Sequence, residues 1–420
     1  MSRLARAAVH AAFRRIASGR LEVEEAYARG RTLGFGPEGA PLRGTVVVHD
    51  PGFYVRLARD GSVGLGEAYA DGQWDSPDVV PPLRIGALEM RRSVRARRVL
   101  RGLGRPLRRL RPDALRNTVA GARRNIAAHY DLGNDLFELF LDRDLMVYSC
   151  ALYAHPDDTL EDAQRAKVDR VCRALALGPH THLLEIGGGW GGLAMHAAAE
   201  YGARVTTTTI SAEQRAYAEA RIERAGLDDR VLVIGQDYRE LEGTYDRLAS
   251  IEMIEAVGWQ YLDTFFARCS ALLAPDGLMF LQAICADDRA YEAEKDAPGF
   301  ANRLIFPGGF LPSVEAIARS LAAQTDLRTI WLEDISSSYV LTLRAWRERF
   351  LAAQERLAEL GYDRRFRRLW ELYFSISEAG FAEARIMDVQ MLCAKPRWRS
   401  PVGGAAAAQE TGRGTALTHR

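Results

Sequence analysis

A short segment near the middle of the chain places the strongest constraint on its fold. Residues 183–186 are apolar apart from Glu185, glycine occupies five of the six positions 187–192, and residues 193–199 follow a helical pattern. This order predicts a buried strand, a tight turn and a helix whose first backbone N–H groups face the turn. Glycine suits such a turn because a Cβ would block both its backbone geometry and the close approach of a ligand. We therefore predict an α/β fold that cradles a nucleotide-like cofactor.

Two kinds of cofactor compete for this turn. Three of the glycines satisfy the dinucleotide fingerprint, which also requires an acid at the end of the second strand to bind the ribose. The second strand, residues 204–210, ends without one, and the first acid is Glu213, already inside the next helix. A nicotinamide dinucleotide is therefore disfavoured. An acid just before the glycines, Glu185, followed by a strand that leads into Gln214, resembles an S-adenosylmethionine-dependent methyltransferase instead.

Strands and helices alternate regularly after the glycine turn, which is typical of a doubly wound, mostly parallel sheet. With the methyltransferase resemblance, we expect a Rossmann-like class I methyltransferase fold with a smaller N-terminal α/β domain. The elements predicted from the pattern are strands at 205–209, 231–235, 247–251, 278–284 and 389–394, and helices at 163–176 and 343–360.

Four segments are expected along the chain. Residues 1–83 form the N-terminal α/β domain, which we expect to associate with lipid or membrane and which the Pro81-Pro82 pair closes. Residues 84–116 form an arginine-rich linker, residues 117–398 the methyltransferase domain, and residues 399–420 a disordered tail.

The distribution of charge along the chain limits the kinds of partner that it is expected to bind. The net charge is only +1, yet fourteen arginines lie between Arg84 and Arg124, against two acids. We expect this segment either to be a solvated linker or to dock on the anionic headgroups of a membrane surface. Nucleic acid is not expected, because no nucleic-acid motif accompanies the charge.

The five scattered cysteines lack metal-type spacing, so no metal site is predicted and a cytoplasmic protein with reduced thiols is expected.

A series of motifs in a fixed order resembles the cyclopropane-fatty-acyl-phospholipid synthase family, which includes the mycolic-acid cyclopropane synthases and the methyl- and methylene-fatty-acid synthases. The resemblance covers nearly the whole chain. Its motifs are residues 64–69, the His129–Asp135 block, Tyr148-Ser149-Cys150, the glycine turn, residues 252–258 and Phe306-Pro307-Gly308-Gly309.

The resemblance implies a chemistry. S-adenosylmethionine delivers a methyl group to the cis double bond of an unsaturated acyl chain in a phospholipid, and the carbocation loses a proton from that methyl to close a cyclopropane ring. A base must therefore lie beside the reacting carbons while water is excluded. The resemblance implies a bound bicarbonate ion as that base. The predicted catalytic residues are the positions that match its pocket: Cys150, Glu255, Gln282 and Tyr339.

The same resemblance implies a set of cofactor-binding residues. They are Tyr148 and Ser149 near the methionine end, Gly187 and Gly189 beneath it, Thr209 and Gln214 at the ribose, Gln236 and Asp237 at the adenine edge, and Glu185 and Gly191 in the glycine turn.

Two departures from the family pattern bear on the product. Gln282 stands where many members carry histidine, and Ser377 stands where some carry cysteine, so a covalent cysteine at 377 is excluded. Glutamine can hydrogen-bond an anion but cannot titrate near neutrality. Cyclopropane is the expected product. The alternative is a 10-methylene chain that a separate reductase converts to a methyl branch of the tuberculostearic type.

Other functions and partners stay open from sequence alone. A small-amine N-methyltransferase shares the same core, and a lipid-binding protein that has lost its chemistry would retain the basic segment. We expect peripheral association with the inner face of the membrane, and a homodimer is a further partner prediction.

Overall fold

The computed structural model describes residues 2–93, 117–119, 121–122, 125, 133–297 and 299–399. Most of the predicted arginine-rich linker, the His129–Leu132 part of the motif block and the tail from residue 400 onward lie outside the described residues. The chain forms two compact units that interleave along the sequence. The first comprises Met1–Phe140, Ile284–Val314 and Tyr339–Asp388, and the second Leu141–Ala283, Glu315–Ser338 and Val389–Arg420.

The α-helices of the described residues are numbered in chain order. They are α1 (Ser2–Phe13), α2 (Gly52–Asp60), α3 (Ser62–Ala70), α4 (Val80–Arg92), α5 (Asn134–Glu138), α6 (Leu160–Ala174), α7 (Gly192–Tyr201), α8 (Ala212–Arg224), α9 (Leu262–Leu272), α10 (Asp288–Glu294), α11 (Val314–Gln324), α12 (Ser336–Ala352), α13 (Gln354–Glu359) and α14 (Arg364–Ala382).

The β-strands are numbered in the same way. They are β1 (Arg20–Glu25), β2 (Arg31–Phe35), β3 (Arg43–Val48), β4 (Trp74–Asp75), β5 (His182–Ile186), β6 (Arg204–Thr208), β7 (Val231–Ile234), β8 (Tyr245–Ile251), β9 (Leu273–Ala286), β10 (Arg328–Asp334) and β11 (Ile386–Ala394).

The first unit contains a four-stranded sheet in the order β2-β1-β3-β4, in which β1 runs parallel to β3 and antiparallel to β2. Alternate residues of β1 and β3 are buried, as expected for a sheet with one face on a core. Helix α14 packs against α3 and α4. The N-terminal residues thus combine helices with a sheet, but the unit that holds them also includes Ile284–Val314 and Tyr339–Asp388, which were predicted to belong to the methyltransferase domain.

The predicted boundary at residue 83 is wrong in one respect. Pro81-Pro82 occupies the first turn of α4, which continues to Arg92, instead of closing the domain. Proline is tolerated there because the first N–H groups of a helix have no intrahelical acceptor.

The second unit is built on a seven-stranded sheet in the order β10-β11-β9-β8-β5-β6-β7. The pairs β5–β6, β6–β7, β5–β8 and β8–β9 are parallel, and β10–β11 is antiparallel. Helices α6 and α7 bury their apolar side chains against the sheet. The doubly wound, mostly parallel class I fold is thus confirmed. Because β6 and β8 lie on opposite sides of β5, the strand order reverses at the carboxyl end of β5, which is where open α/β sheets bind ligands.

Two predicted elements differ clearly in extent, and one strand was not predicted. Strand β9 begins at Leu273, five residues before the predicted start, and the helix predicted over 343–360 is two helices separated at Ala353. Strand β10 was not predicted, because most of its residues are exposed and its apolar run, residues 330–332, is only three residues long. Among the described residues, no helix has the length and apolar character needed to cross a bilayer.

Candidate functional site

The glycine turn leaves β5 at the point where the strand order reverses. Gly187, Gly189 and Gly191 have φ values of 93°, 54° and 86°, which favour glycine. A Cβ on Gly189 would meet no atom within 4 Å, whereas one on Gly187 would lie 2.7 Å from Met253 and one on Gly191 3.3 Å from Ala218. Space beside Gly189 is therefore available for a ligand, while the other two glycines also serve close packing.

Glu185 lies beneath this turn. It is 3% exposed, and the Thr207 hydroxyl on the neighbouring strand donates a 2.6 Å hydrogen bond to its Oε2. A Cβ on Gly188 would collide with Thr207 and lie 2.9 Å from the same carboxylate oxygen. Burial raises the pKa of Glu185 to about 7, although the Thr207 hydrogen bond and the nearby Lys167 oppose the shift. The Glu185 carboxyl group therefore packs directly against the backbone of the glycine turn at Gly188.

Helix α6 holds the Tyr148-Ser149-Cys150 segment. Lys167, which is 1% exposed, donates a 2.7 Å hydrogen bond to the Ser149 hydroxyl, and Gln164 donates one of 2.8 Å to the Ser149 carbonyl. Residues three apart on a helix share one face, so the two side chains reach the same segment. Tyr148 is half-buried.

The ends of the next two strands carry the remaining cofactor candidates. Thr209 donates a 2.9 Å hydrogen bond to Gln214, and both side chains are buried. Gln236 is exposed. Asp237 is 2% exposed, and Arg239 donates two hydrogen bonds of 2.7 Å to its carboxylate. The structure thus places Thr209 and Gln214 in contact with each other, and the Asp237 carboxylate pairs with Arg239.

Two of the catalytic candidates, Cys150 and Gln282, lie around a residue that was not predicted. The Glu252 Oε1 atom accepts hydrogen bonds from the Cys150 N–H at 2.7 Å and from the Gln282 amide at 2.8 Å. The Gln282 oxygen accepts in turn from Gln390 at 3.0 Å. Cys150, Gln282 and Gln390 are each fully buried. A carboxylate is therefore fixed in place at the carboxyl end of β8, against Gln282 of β9.

The other two predicted catalytic residues occupy different surroundings. Glu255 lies on a 3-10 turn, Ile254–Ala256, three residues after Glu252. Tyr339 belongs to the first unit, where it is 4% exposed and its ring stacks on Phe381 with a centroid distance of 4.3 Å.

The residues present fit the two implied cofactors differently. The space at Gly189, the Thr209–Gln214 pair and the strand-end position suit S-adenosylmethionine. Bicarbonate does not fit in the same way, because the Cys150 N–H and the Gln282 amide, two donors of the pocket implied for it, already hydrogen-bond Glu252.

Sequence reasoning missed Glu252, Lys167, Gln164 and Gln390. A signal existed for Glu252, since it directly follows β8 at the edge where a ligand is expected. For Lys167, its place on the buried face of α6 was the available signal, because a buried lysine requires a polar partner.

A glycine turn at the reversal point of a parallel sheet, with an acid beneath it and hydroxyl and amide groups at the end of the next strand, defines a class I S-adenosylmethionine-dependent methyltransferase. The family model described as mycolic acid cyclopropane synthetase matches residues 118–391. Tuberculostearic acid methyltransferase UfaA1 of Mycobacterium tuberculosis is 39% identical over 364 residues, which cover 84% of this chain and 83% of that protein. The chain therefore belongs to the mycolic acid cyclopropane synthetase family, whose enzymes are S-adenosylmethionine-dependent methyltransferases.

Two further comparisons agree with this membership. Cyclopropane-fatty-acyl-phospholipid synthase of Escherichia coli K12 is 39% identical over 356 residues, which cover 82% of this chain and 85% of that protein. The crystal structure of mycolic acid cyclopropane synthase CmaA1 complexed with SAH and CTAB has 29% sequence identity and a TM-score of 0.61, and it covers 65% of this chain and 98% of that one.

Proposed function

We propose that this enzyme transfers the methyl group of S-adenosylmethionine to a carbon of a cis double bond in the unsaturated acyl chain of a phospholipid. The observation that carries the proposal is the fixed Glu252 carboxylate beside Cys150 and Gln282, at the strand ends next to the cofactor turn. Alkylation of an alkene creates a carbocation that must lose a proton, and a carboxylate at this place could accept that proton. The names of the 39%-identical relatives support a lipid substrate.

The cofactor supplies an electrophilic methyl group when bound. The chain's own residues then have to orient the alkene, exclude water and accept one proton. If a C–H bond of the delivered methyl breaks and its electron pair closes onto the cationic carbon, the product is a cyclopropane. We propose this product first, as the expectation from the family resemblance.

A methylene-bearing acyl chain is the second candidate. It arises when a hydride moves from the methylated carbon to the cationic carbon before the delivered methyl loses its proton. Gln282 favours this candidate, because an amide held by Glu252 and Gln390 occupies the position where the resemblance implies histidine in many members. A separate reductase would then complete a methyl branch.

We also propose that the enzyme works at the inner face of an anionic membrane. The fourteen arginines between Arg84 and Arg124 support this location, since each basic residue near such a surface adds about 1 kcal/mol. Self-association remains a prediction of the family resemblance.

The test is methyl incorporation from labelled S-adenosylmethionine into vesicles of oleoyl phospholipid. We expect incorporation into the acyl chain, and ring proton resonances distinguish cyclopropane from the vinylidene signals of a methylene product. Incorporation into a polyamine or an aminoalcohol, with none into the vesicles, would instead establish a small-amine N-methyltransferase. Saturable binding of S-adenosylhomocysteine without turnover on either substrate would indicate a protein without its chemistry.

A further inference from the structure

The hydrogen bonds of Glu252 bear on the identity of the base. The family resemblance places a bicarbonate ion against the Cys150 segment and residue 282. In this chain a side-chain carboxylate, chemically close to bicarbonate, accepts from the Cys150 N–H at 2.7 Å and from the Gln282 amide at 2.8 Å. A bicarbonate ion could accept from the Cys150 N–H only by displacing Glu252, and the Gln282 amide, whose nitrogen also lies 3.4 Å from the Cys150 carbonyl oxygen, already donates to both partners.

The backbone at Glu252 gives a second, independent observation. Its φ is 48°, in the left-handed region that a residue with a Cβ rarely adopts. Strain of this kind persists where the surrounding structure holds it, and it concentrates at functional sites. Here the Glu252 N–H donates to the Gln282 carbonyl at 2.8 Å. Main chain and side chain thus both fix Glu252 against Gln282 of β9, and the strained backbone directs the carboxylate toward the Cys150 N–H.

We propose that the Glu252 carboxylate is the base of the reaction and that this enzyme operates without bicarbonate. The inference rests on the proposed alkene methylation. A C–H bond of the delivered methyl breaks, its electron pair forms the ring bond or the double bond, and the proton passes to Glu252, which later releases it to water. A weak base suffices because the carbocation makes the C–H bonds of the delivered methyl group strongly acidic. Gln282 then has a defined task, since an amide donates to the carboxylate and cannot compete for the proton.

The first experiment compares turnover on oleoyl phospholipid vesicles in carbonate-free buffer and with added bicarbonate. We expect the wild-type rate to change by less than about twofold, whereas Glu252→Gln should lower kcat by about 100-fold or more, the range of general-base catalysis. The KM for S-adenosylmethionine and the affinity for S-adenosylhomocysteine should stay within about threefold, because Glu252 acts on the proton and does not bind the cofactor. Glu223→Gln, which removes an exposed acid on α8, is the matched control.

A second variant keeps the test decisive if Glu252→Gln folds poorly. Glu252→Gly suits the positive φ and exposes the Cys150 N–H and the Gln282 amide to an added anion. We expect it to be inactive in carbonate-free buffer and to regain activity with bicarbonate or formate, with a rate that saturates as the anion concentration rises.

The outcomes separate the two proposals. A wild-type enzyme that loses turnover when carbonate is removed, or a Glu252→Gln enzyme that keeps wild-type kcat, would overturn the role of Glu252 and leave alkene methylation standing. A wild-type enzyme that binds S-adenosylhomocysteine but methylates no unsaturated phospholipid in either buffer would overturn the proposed function and this inference with it.

Discussion

The amino group of Lys167 donates a 2.7 Å hydrogen bond to the hydroxyl of Ser149, and both side chains are buried. A lysine kept from solvent in the middle of α6 is costly unless it has polar partners. Ser149 lies between Tyr148 and Cys150, so this contact ties a helix of the core to the segment that carries two cofactor candidates and one catalytic candidate. Lys167 therefore acts as a positioning residue for that segment.

Lys167→Met should weaken cofactor binding without abolishing the fold. The thioether keeps the apolar length of the side chain but leaves the buried Ser149 hydroxyl without this donor, which costs about 1–3 kcal/mol of unfolding free energy. We expect calorimetric titration to give a Kd for S-adenosylhomocysteine raised about tenfold. Lys295→Met is the control, because its amino group pairs with Glu292 at a helix surface. Unchanged affinity in Lys167→Met would remove the positioning role.

Adjacent glycines of the turn should respond differently to alanine. In Gly188→Ala the new Cβ would collide with Thr207 and crowd Glu185, so we expect a loss of about 3 kcal/mol in unfolding free energy by denaturant titration. In Gly189→Ala the Cβ enters unoccupied space, so the loss should be limited to the strain of its 54° φ, about 1–2 kcal/mol. The Gly189 variant should nevertheless bind S-adenosylhomocysteine much more weakly. The reverse ranking in stability would contradict this account of the turn.

Glu185 should make the protein less stable as pH rises toward neutrality. Burial raises its pKa from 4.5 to about 7, so the folded state binds more protons than the unfolded state in this interval. Its contribution to stability is therefore full below pH 4.5 and is lost as pH rises through about 7, a total of about 3 kcal/mol. Glu185→Gln should flatten this part of the profile in denaturant titrations at several pH values. Glu223→Gln should leave it unchanged.

Glu25 should have the opposite effect at acidic pH. Burial opposes its ionisation, but hydrogen bonds from Arg6, Tyr54 and Tyr27 outweigh burial and hold its pKa at about 2. Arg6 contributes a bidentate pair with distances of 2.6 and 2.7 Å. The carboxylate therefore stabilises the fold above pH 4.5, and about 3 kcal/mol is lost as pH falls toward 2.

Comparison of variants isolates the Glu25 contribution. The difference in unfolding free energy between wild type and Glu25→Gln should shrink as pH falls from about 5 to about 3. Glu22→Gln tests the background, because its pair with Arg43 is solvent-exposed and such pairs contribute little. A pH-independent difference for Glu25→Gln would show that its carboxylate is not the group that titrates.

The arginine-rich segment should govern membrane affinity. We expect glutamine at Arg95, Arg97, Arg98, Arg101 and Arg105 to lower partitioning onto anionic vesicles by at least about 100-fold, since each basic residue near such a surface is worth about 1 kcal/mol. Lysine at the same positions should preserve most of the binding, and salt should weaken it. Equal binding of the wild type to neutral vesicles would contradict an electrostatic role.

Several features of the fold could be predicted because their signals are local. The apolar run of β5, the glycine turn and the start of α7 are contiguous, so their order alone indicates a strand, a turn and a helix. Strand β1 was missed because most of its residues are charged, and β10 because its apolar run is short and most of its residues are exposed. Hydrogen bonds to neighbouring strands, which no local pattern shows, stabilise both. Pro81-Pro82 was misread because a proline pair can end one element or begin the next.

The sequence by itself determined the class of the enzyme, since the glycine turn and the ordered motifs are properties of short segments. Only the tertiary structure decided which group accepts hydrogen bonds from the Cys150 N–H and the Gln282 amide, the donors of the predicted anion pocket. Glu252 meets Gln282 because β8 and β9 pair in a register that sets Ile251 opposite Gln282. It meets the Cys150 N–H across 102 residues of chain. No local pattern encodes such a contact, because its geometry exists only after the parallel strands have aligned their carboxyl ends at one edge of the sheet.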